Sequence, residues 1–376
     1  MKISTGYSKK TDTQEAVQEA CTAFRDSAPE FILFFSDRPR FAAFSELLYY
    51  AFPSATILGA STHASFSPEG LSTEALNITA FSRGLHVSAG VIREISRHPD
   101  IFYQSTITNA LNGLDLDKVQ NDNTCCFVLN PAGTACEEMV LDALDDSLKE
   151  FNIPIVGGSA SSELCLNGSV SLNGSVYTNS SVFALLQLEK GSMQVYLENI
   201  YKPMGIQYTV TKSDIMNRTI YALDGKPAAD VLCQALQVPF EELASALALH
   251  PFGRLPSGRL YIDEIERINR DRSITTYCRI LEDSQISLLE LDDFPTVMQQ
   301  TFAKIHADKT PLEFSILINC FSRVNLYLQK NWMNEFHQQL TRSLGSYLGF
   351  TSHGEQLGDF NLNLSLLLLC FKGTKE

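Results

Sequence analysis

Two kinds of loop in this chain carry side chains with chemical reach. The first is "ALHPFGRLPSG", where Pro251, Gly253, Pro256 and Gly258 stiffen a turn that holds His250 and Arg254. A guanidinium fixed on such a loop suits recognition of a carboxylate, and a fixed imidazole suits axial ligation of haem iron. The loop equally suits a histidine that caps a turn, with its ring nitrogens met by backbone. The second kind of loop occurs three times, as Gly59-Ala60-Ser61-Thr62, Gly157-Gly158-Ser159-Ala160 and Gly349-Phe350-Thr351-Ser352. Small residues let backbone approach a ligand or another strand closely, and the hydroxyls of Ser61, Thr62 and Ser159 can bond polar groups. Glu355, just after the third loop, is placed either to bind a ligand amine or to stand as a solvated charge.

Established catalytic patterns are incomplete here. A nucleophile elbow needs G-x-S-x-G, and "GASTH" and "GGSAS" place His63 and Ser161 where its second glycine belongs. His353-Gly354-Glu355 supplies only the first half of a zinc-deaminase signature, and no Pro-Cys-x-x-Cys follows. No His-Glu-x-x-His, P-loop or dinucleotide fingerprint occurs. An enzyme acting on a small metabolite through serine or cysteine remains the third reading. Cys136, at the start of a helical stretch, is the one thiol that a helix dipole would acidify.

The elements that hold these loops repeat in sequence. A continuous apolar run, a helical stretch, a second strand ending in the small-residue loop and a further apolar strand occur in that order three times. The copies begin at "FILFFSD", "CCFVLNP" and "FSILINC". Continuous apolar strands between helical stretches predict an α/β fold, with sheets covered by helices. Residues 205 to 310 interrupt the pattern with alternating segments and turn signals. They predict a β-rich, largely antiparallel insertion around one helix, Lys226 to Leu236, with Pro227 in its first turn. Two Asn-Gly pairs in "LCLNGSVSLNGSVYTNSS" predict type I′ hairpin turns. At 376 residues the chain is long enough for two domains. The cut is expected near residue 200, giving domains 1–200 and 201–376.

Composition narrows the classes of partner. Twenty-nine Lys plus Arg face 43 Asp plus Glu, a formal charge of -14, which opposes binding to nucleic acid or to an anionic membrane surface. The nine cysteines form no CxxC pair and read as reduced core residues in a cytosol. No secretory signal and no spanning segment occurs in the sequence, so a cytoplasmic protein is expected.

Together the motifs resemble a known family. "ATILGASTHASFSPEG" and "IPIVGGSASSELCLNG" resemble hallmark segments of the FIST N domain, and "YALDGKPAADVL", "LHPFG" and "GFTSHGE" resemble those of the FIST C domain. The resemblance runs from about Gly6 to about Leu369. It departs from the family at His353, where tyrosine is usual, and in "LEDSQISLLE", which lacks a glycine before the strand. The resemblance implies a sensory module of bacterial-type signalling that binds a small ligand such as an amino acid or small carboxylate. It also implies signalling through a histidine kinase, chemotaxis receptor or cyclic-di-GMP enzyme. Some relatives are haemoproteins that sense nitric oxide, which makes haem on His250 the alternative reading, with His63 and His353 as further axial candidates. The chain stops soon after its third repeat, so output through a separate protein is expected. The expected pocket residues are Ser61, Thr62, Ser159, His250, Arg254 and Glu355, in a cleft between the domains.

Overall fold

The computed structural model describes residues 1–97, 103–162 and 167–374. Cys165, one of the nine cysteines, lies outside the described residues. The chain is mixed α/β, as its sequence predicts, with four sheets and with helices packed on them. It divides into two compact units. Unit 1 comprises Met1–Leu197, Phe302–Phe360 and Leu366–Glu376, and unit 2 comprises Glu198–Thr301 with Asn361–Ser365. The first junction between the units lies at Leu197 and Glu198. The third repeat then rejoins the first two, which the sequence did not indicate. Among the described residues, no helix is long and apolar enough to cross a membrane.

Unit 1 is built from three sheets with one plan. In the first, Phe31–Ser36 runs parallel to Thr56–Ser61 and antiparallel to Leu76–Arg83, with Lys2–Ser8 beyond. In the second, Thr124–Pro131 is parallel to Ile155–Ala160 and antiparallel to Ser180–Leu188, with Leu85–Arg93 beyond. In the third, Leu312–Cys320 is parallel to Tyr347–Ser352 and antiparallel to Ser365–Lys372, with Ser192–Asn199 beyond.

Every residue of Phe31–Ser36 is buried because the strand has two apolar faces and both are covered. Phe31, Leu33 and Phe35 join Cys125, Phe127 and Leu129, and Phe314, Ile316 and Ile318, in one central core. The alternate residues Ile32 and Phe34 face the helices Thr13–Ala20 and Arg38–Ala51, as Cys126 and Val128 face the helix Glu137–Leu148. Phe35 stacks on Phe350 at 4.5 Å, and Phe81 meets Phe314 at 5.8 Å and Phe371 at 5.3 Å. Rings at such separations add about 1 kcal/mol each to their area burial.

The glycine shared by the three second strands has a steric reason. A Cβ on Gly59 would meet the Phe34 ring at 2.2 Å, one on Gly157 the Val128 carbonyl oxygen at 2.0 Å, and one on Gly349 Leu317 Cβ at 2.6 Å. In each case the obstacle is the residue directly across the parallel pair.

The three sheets are completed by exchange. The hairpin after the first small-residue loop, Ser65–Ser67 with Gly70–Ser72, adds to Tyr347–Ser352 in the third sheet. The strand after the third loop, Glu355–Leu357, adds to Ile155–Ala160 in the second. The hairpin after the second loop, Val170–Leu172 with Ser175–Tyr177, adds to Thr56–Ser61 in the first. Strand donation therefore closes a ring. Asn173-Gly174 forms the predicted tight turn of this last hairpin, with φ of 49° and 82°. At the other Asn-Gly pair only Asn167 has positive φ. There a Cβ on Gly168 would meet the Ala160 carbonyl oxygen at 2.0 Å, so that glycine serves a close approach and not a hairpin turn.

Unit 2 is an antiparallel sheet in the order Tyr261–Asp263, Phe252–Arg254, Gln285–Leu291, Tyr201–Asp214, Thr219–Leu223, Ile274–Thr276 and Ile265–Ile268. The helices Ala228–Leu236 and Leu243–Leu249 pack on it through Ala228, Leu232, Leu243 and Leu247. The first helix begins two residues later than predicted. Lys226 and Pro227 pair with Thr219–Leu223, and Pro227 takes the extended N-cap position. The second helix, seven residues long, was not foreseen.

Candidate functional site

Within unit 1 the three small-residue loops meet at the carboxyl ends of their parallel strands, the position where open α/β sheets take their ligands. Ser61, Thr62, Ser159 and Glu355 are gathered here, and all four are buried. Their neighbours explain why. The Ser61 hydroxyl donates to the Ser161 carbonyl at 2.8 Å and accepts from Ser169 N–H at 2.9 Å. The Thr62 hydroxyl shares its proton between the carbonyls of Ala64 (2.7 Å) and Thr351 (3.0 Å), and accepts from Thr351 N–H at 3.0 Å. Ser159 Oγ accepts from Gln356 Nε2 at 3.0 Å, and Ser352 donates to Glu355 at 2.6 Å.

The backbone repeats the exchange of strands. Ser161 N–H donates to the Ser61 carbonyl and His353 N–H to the Ser159 carbonyl, both at 2.9 Å. His63 N–H instead reaches Ser161 Oγ at 3.1 Å, and that hydroxyl donates to the Thr351 carbonyl at 2.8 Å. These hydroxyls tie one repeat to the next. Ser61, Thr62 and Ser161 give their protons to backbone carbonyls, whereas Ser352 gives its proton to the Glu355 carboxylate.

One layer outward, the last polar residue of each first strand is a repeated position that the sequence reading missed. It is Ser36, Asn130 or Asn319, directly across from Ser61, Ser159 or Thr351. The Ser36 hydroxyl donates to the Asp37 carbonyl at 3.2 Å. Asn130 Oδ1 accepts from the Ser181 hydroxyl at 2.5 Å, but its Nδ2 finds no partner among the described residues. Asn319 is fully buried, and neither Oδ1 nor Nδ2 finds one. Ile316 and Ile318 point to the central core, so alternation turns Asn319 to the helix-covered face. There the helix Phe321–Gln329 starts without a side-chain cap and carries the fully buried Arg323. The His63 ring meets Phe321 edge-on at 5.2 Å.

His250 and Arg254 belong to unit 2. Arg254 forms a bidentate pair with the fully buried Asp263 on the adjacent strand, Nε to Oδ2 at 2.7 Å and Nη2 to Oδ1 at 2.6 Å. Its charge is therefore matched inside the fold. His250 caps the helix Leu243–Leu249 and sets Nδ1 3.0 Å from the Leu289 carbonyl oxygen. The imidazole thus makes the backbone contact expected of a turn-capping histidine.

The eight described cysteines are free thiols. Burial pushes the Cys21 thiol up to about 12 and that of Cys370 up to about 11, and raises those of Cys125 and Cys126 further. Cys136 stands at the N-cap of the helix Glu137–Leu148, as predicted, with Sγ 3.1 Å from the Thr134 carbonyl oxygen. Among the described residues no group of His, Cys, Asp and Glu is arranged to hold a metal ion.

Two family models match the chain, FIST N domain over residues 30–226 and FIST C domain over residues 228–357. No curated protein matches it.

Proposed function

Because the chain belongs to the FIST family, whose domains are small-ligand sensory domains of signalling proteins and not catalytic ones, we propose that it binds an amino acid or small carboxylate at the strand ends of unit 1. The observation that carries this reading is Asn319. A buried carboxamide with neither donor nor acceptor met costs the fold roughly 1–3 kcal/mol for each orphaned group. The carboxylate of an amino acid would accept from Nδ2, and its ammonium would donate to Oδ1. Asn130 offers a second donor at the equivalent position. Ser61, Thr62, Ser159 and Glu355 then hold the loops around the ligand. Arg254, already neutralised by Asp263, supports unit 2. Ligand binding alters output only if it favours one arrangement of the protein over another. On this reading the protein is cytoplasmic, and the listener is a separate histidine kinase, chemotaxis receptor or cyclic-di-GMP enzyme.

Titration calorimetry against amino acids and small dicarboxylates tests the site. One ligand class is expected to bind at unit stoichiometry, with Asn319→Ala weakening it at least tenfold, about 1.4 kcal/mol. Asn319→Leu is expected to abolish binding while stabilising the ligand-free chain, because it removes the orphaned amide. A destabilised Asn319→Leu protein, or unchanged affinity in Asn319→Ala, refutes the assignment.

A second reading, a haem-bound nitric-oxide sensor, is favoured by the His250 contact. Iron-ligating histidines commonly give Nδ1–H to a carbonyl and keep Nε2 for the metal, and His250 has the matching Nδ1 contact. Bound haem would supply the iron that takes up nitric oxide, and His250 would hold it. Haem titration of wild-type protein and His250→Ala decides this: the reading requires a Soret band that the variant loses.

A further inference from the structure

A cavity in unit 1, of about 460 Å³, opens at the end of the first sheet away from the small-residue loops. Lys2 starts one strand, Arg83 ends the next, and the two are direct cross-strand partners. The turn after the helix Thr13–Ala20 brings Arg25, Asp26 and Ser27 to the same cavity, and the Ser27 hydroxyl lies 3.1 Å from that of Ser82 in its wall. Among the described residues none of Lys2, Arg25 and Arg83 has a carboxylate within ion-pair distance, although the chain carries 43 acidic residues. Three cations against the single Asp26 leave this recess with a local charge of about +2 on a chain of net charge -14.

Folding has no use for that arrangement. Like charges on neighbouring strands repel, and a carboxylate at any of the three positions would relieve them. Anion recognition does use it: guanidinium forks and an ammonium converge on one concavity, with hydroxyls in its wall to accept or donate a directed hydrogen bond. The volume lies in the range of clefts that hold small molecules.

We propose that this recess binds a phosphate-bearing small metabolite of about nucleotide size. Lys2, Arg25 and Arg83 neutralise the phosphates, and Ser82 turns its hydroxyl to them from Ser27, whose own hydroxyl donates to the Phe24 carbonyl at 2.8 Å. The site is distinct from the strand-end loops. Phe31–Ser36, a strand of 6 residues, spans about 20 Å between the two ends of the sheet. The chain then has two ligand inputs, this one at the first sheet and the other centred on Asn319 of the third, and this second one does not depend on the amino-acid reading.

Titration calorimetry with pyrophosphate and with ADP, using sulfate as the control anion, tests the proposal. Saturable one-to-one binding of at least one phosphate probe, much tighter than sulfate, is expected to weaken at least tenfold in Arg25→Glu/Arg83→Glu. The same loss is expected in Lys2→Glu, which reports on the site from another strand. All three positions are exposed, and far-ultraviolet circular dichroism checks that the variants remain folded. Binding should also weaken as salt rises from 50 to 200 mM, and Asn319→Ala should leave it unchanged. The proposal is overturned by no saturable binding, by equal affinity for sulfate, by affinity indifferent to charge reversal, or by loss in Asn319→Ala, which would move the anion to the strand ends.

Discussion

Truncating Arg254 should damage stability far more than its place at the end of the short strand Phe252–Arg254 suggests. Its side chain is only 12% exposed, and Asp263 beneath it is fully buried. Arg254→Ala leaves that carboxylate in a low-dielectric site with its bidentate donor gone, which costs roughly 3–5 kcal/mol. Replacing both partners by apolar residues of similar size, Arg254→Met with Asp263→Leu, removes the stranded charge and should recover most of the loss. The assay is urea unfolding followed by circular dichroism on Arg254→Ala and on the cycle of Arg254→Met, Asp263→Leu and their double variant. At a slope of about 1–3 kcal/mol per molar urea, the Arg254→Ala midpoint for unit 2 falls by 1 M or more. Trp332, the single tryptophan, lies in unit 1 and gives a separate fluorescence record of that unit. A coupling energy below about 0.5 kcal/mol in the cycle would refute the pair as the tie between these two strands.

The buried Lys372 donates to Asp308 at 3.0 Å, to Tyr196 OH at 3.2 Å and to the Ile305 carbonyl at 2.6 Å. Backbone hydrogen bonding from Thr310, with the Lys372 contact, holds the Asp308 carboxyl down at about 2, so its contribution to stability is complete above the ordinary carboxylate range and is lost as pH falls toward 2. For Lys372, burial opposes its charge but hydrogen bonds to Tyr196 and Asp308 outweigh it and raise its pKa, so that contribution is lost only as pH rises past the ordinary lysine value. Acid titration of Asp308→Asn should therefore show a flatter loss of stability below pH 4 than wild type. Gly157→Ala, which forces a methyl into the Val128 carbonyl, should lower the melting temperature clearly, whereas Gly205→Ala, where nothing lies within 4 Å but φ is +80°, should cost only the smaller price of a left-handed alanine.

What the sequence makes legible is what the local pattern encodes. Runs such as "FILFFS" read as buried strands because both faces are apolar, and the small-residue loops read as meeting points because nothing larger fits there. Asn319 and Asn130 were also within reach, since aligning "ILINC" with "FVLNP" puts an asparagine at the end of each apolar run. What escapes is register between distant segments. Thr62 bonds to Thr351 across 289 positions, and no periodicity announces that the third repeat rejoins the first two. The Arg254–Asp263 pair escapes for the same reason: it depends on which residues of two adjacent strands face one another. The short helix Leu243–Leu249 has too few turns to show a hydrophobic rhythm.

The closed ring of donated strands bears on how unit 1 is assembled. Ile155–Ala160 lacks its neighbour until Glu355–Leu357 arrives, almost two hundred residues later, while Ser65–Ser67 waits for Tyr347–Ser352. Such pairings raise the contact order and predict slow, late consolidation, with bare strand edges open to association in the meantime. A fragment cut at the boundary between the two family matches would keep the first sheet whole, but leave the second without Glu355–Leu357 and the hairpin at Ser65–Ser67 without its host strand Tyr347–Ser352. The first two repeats should therefore be recovered as a soluble folded body only when the third is supplied with them, on the same chain or added in trans.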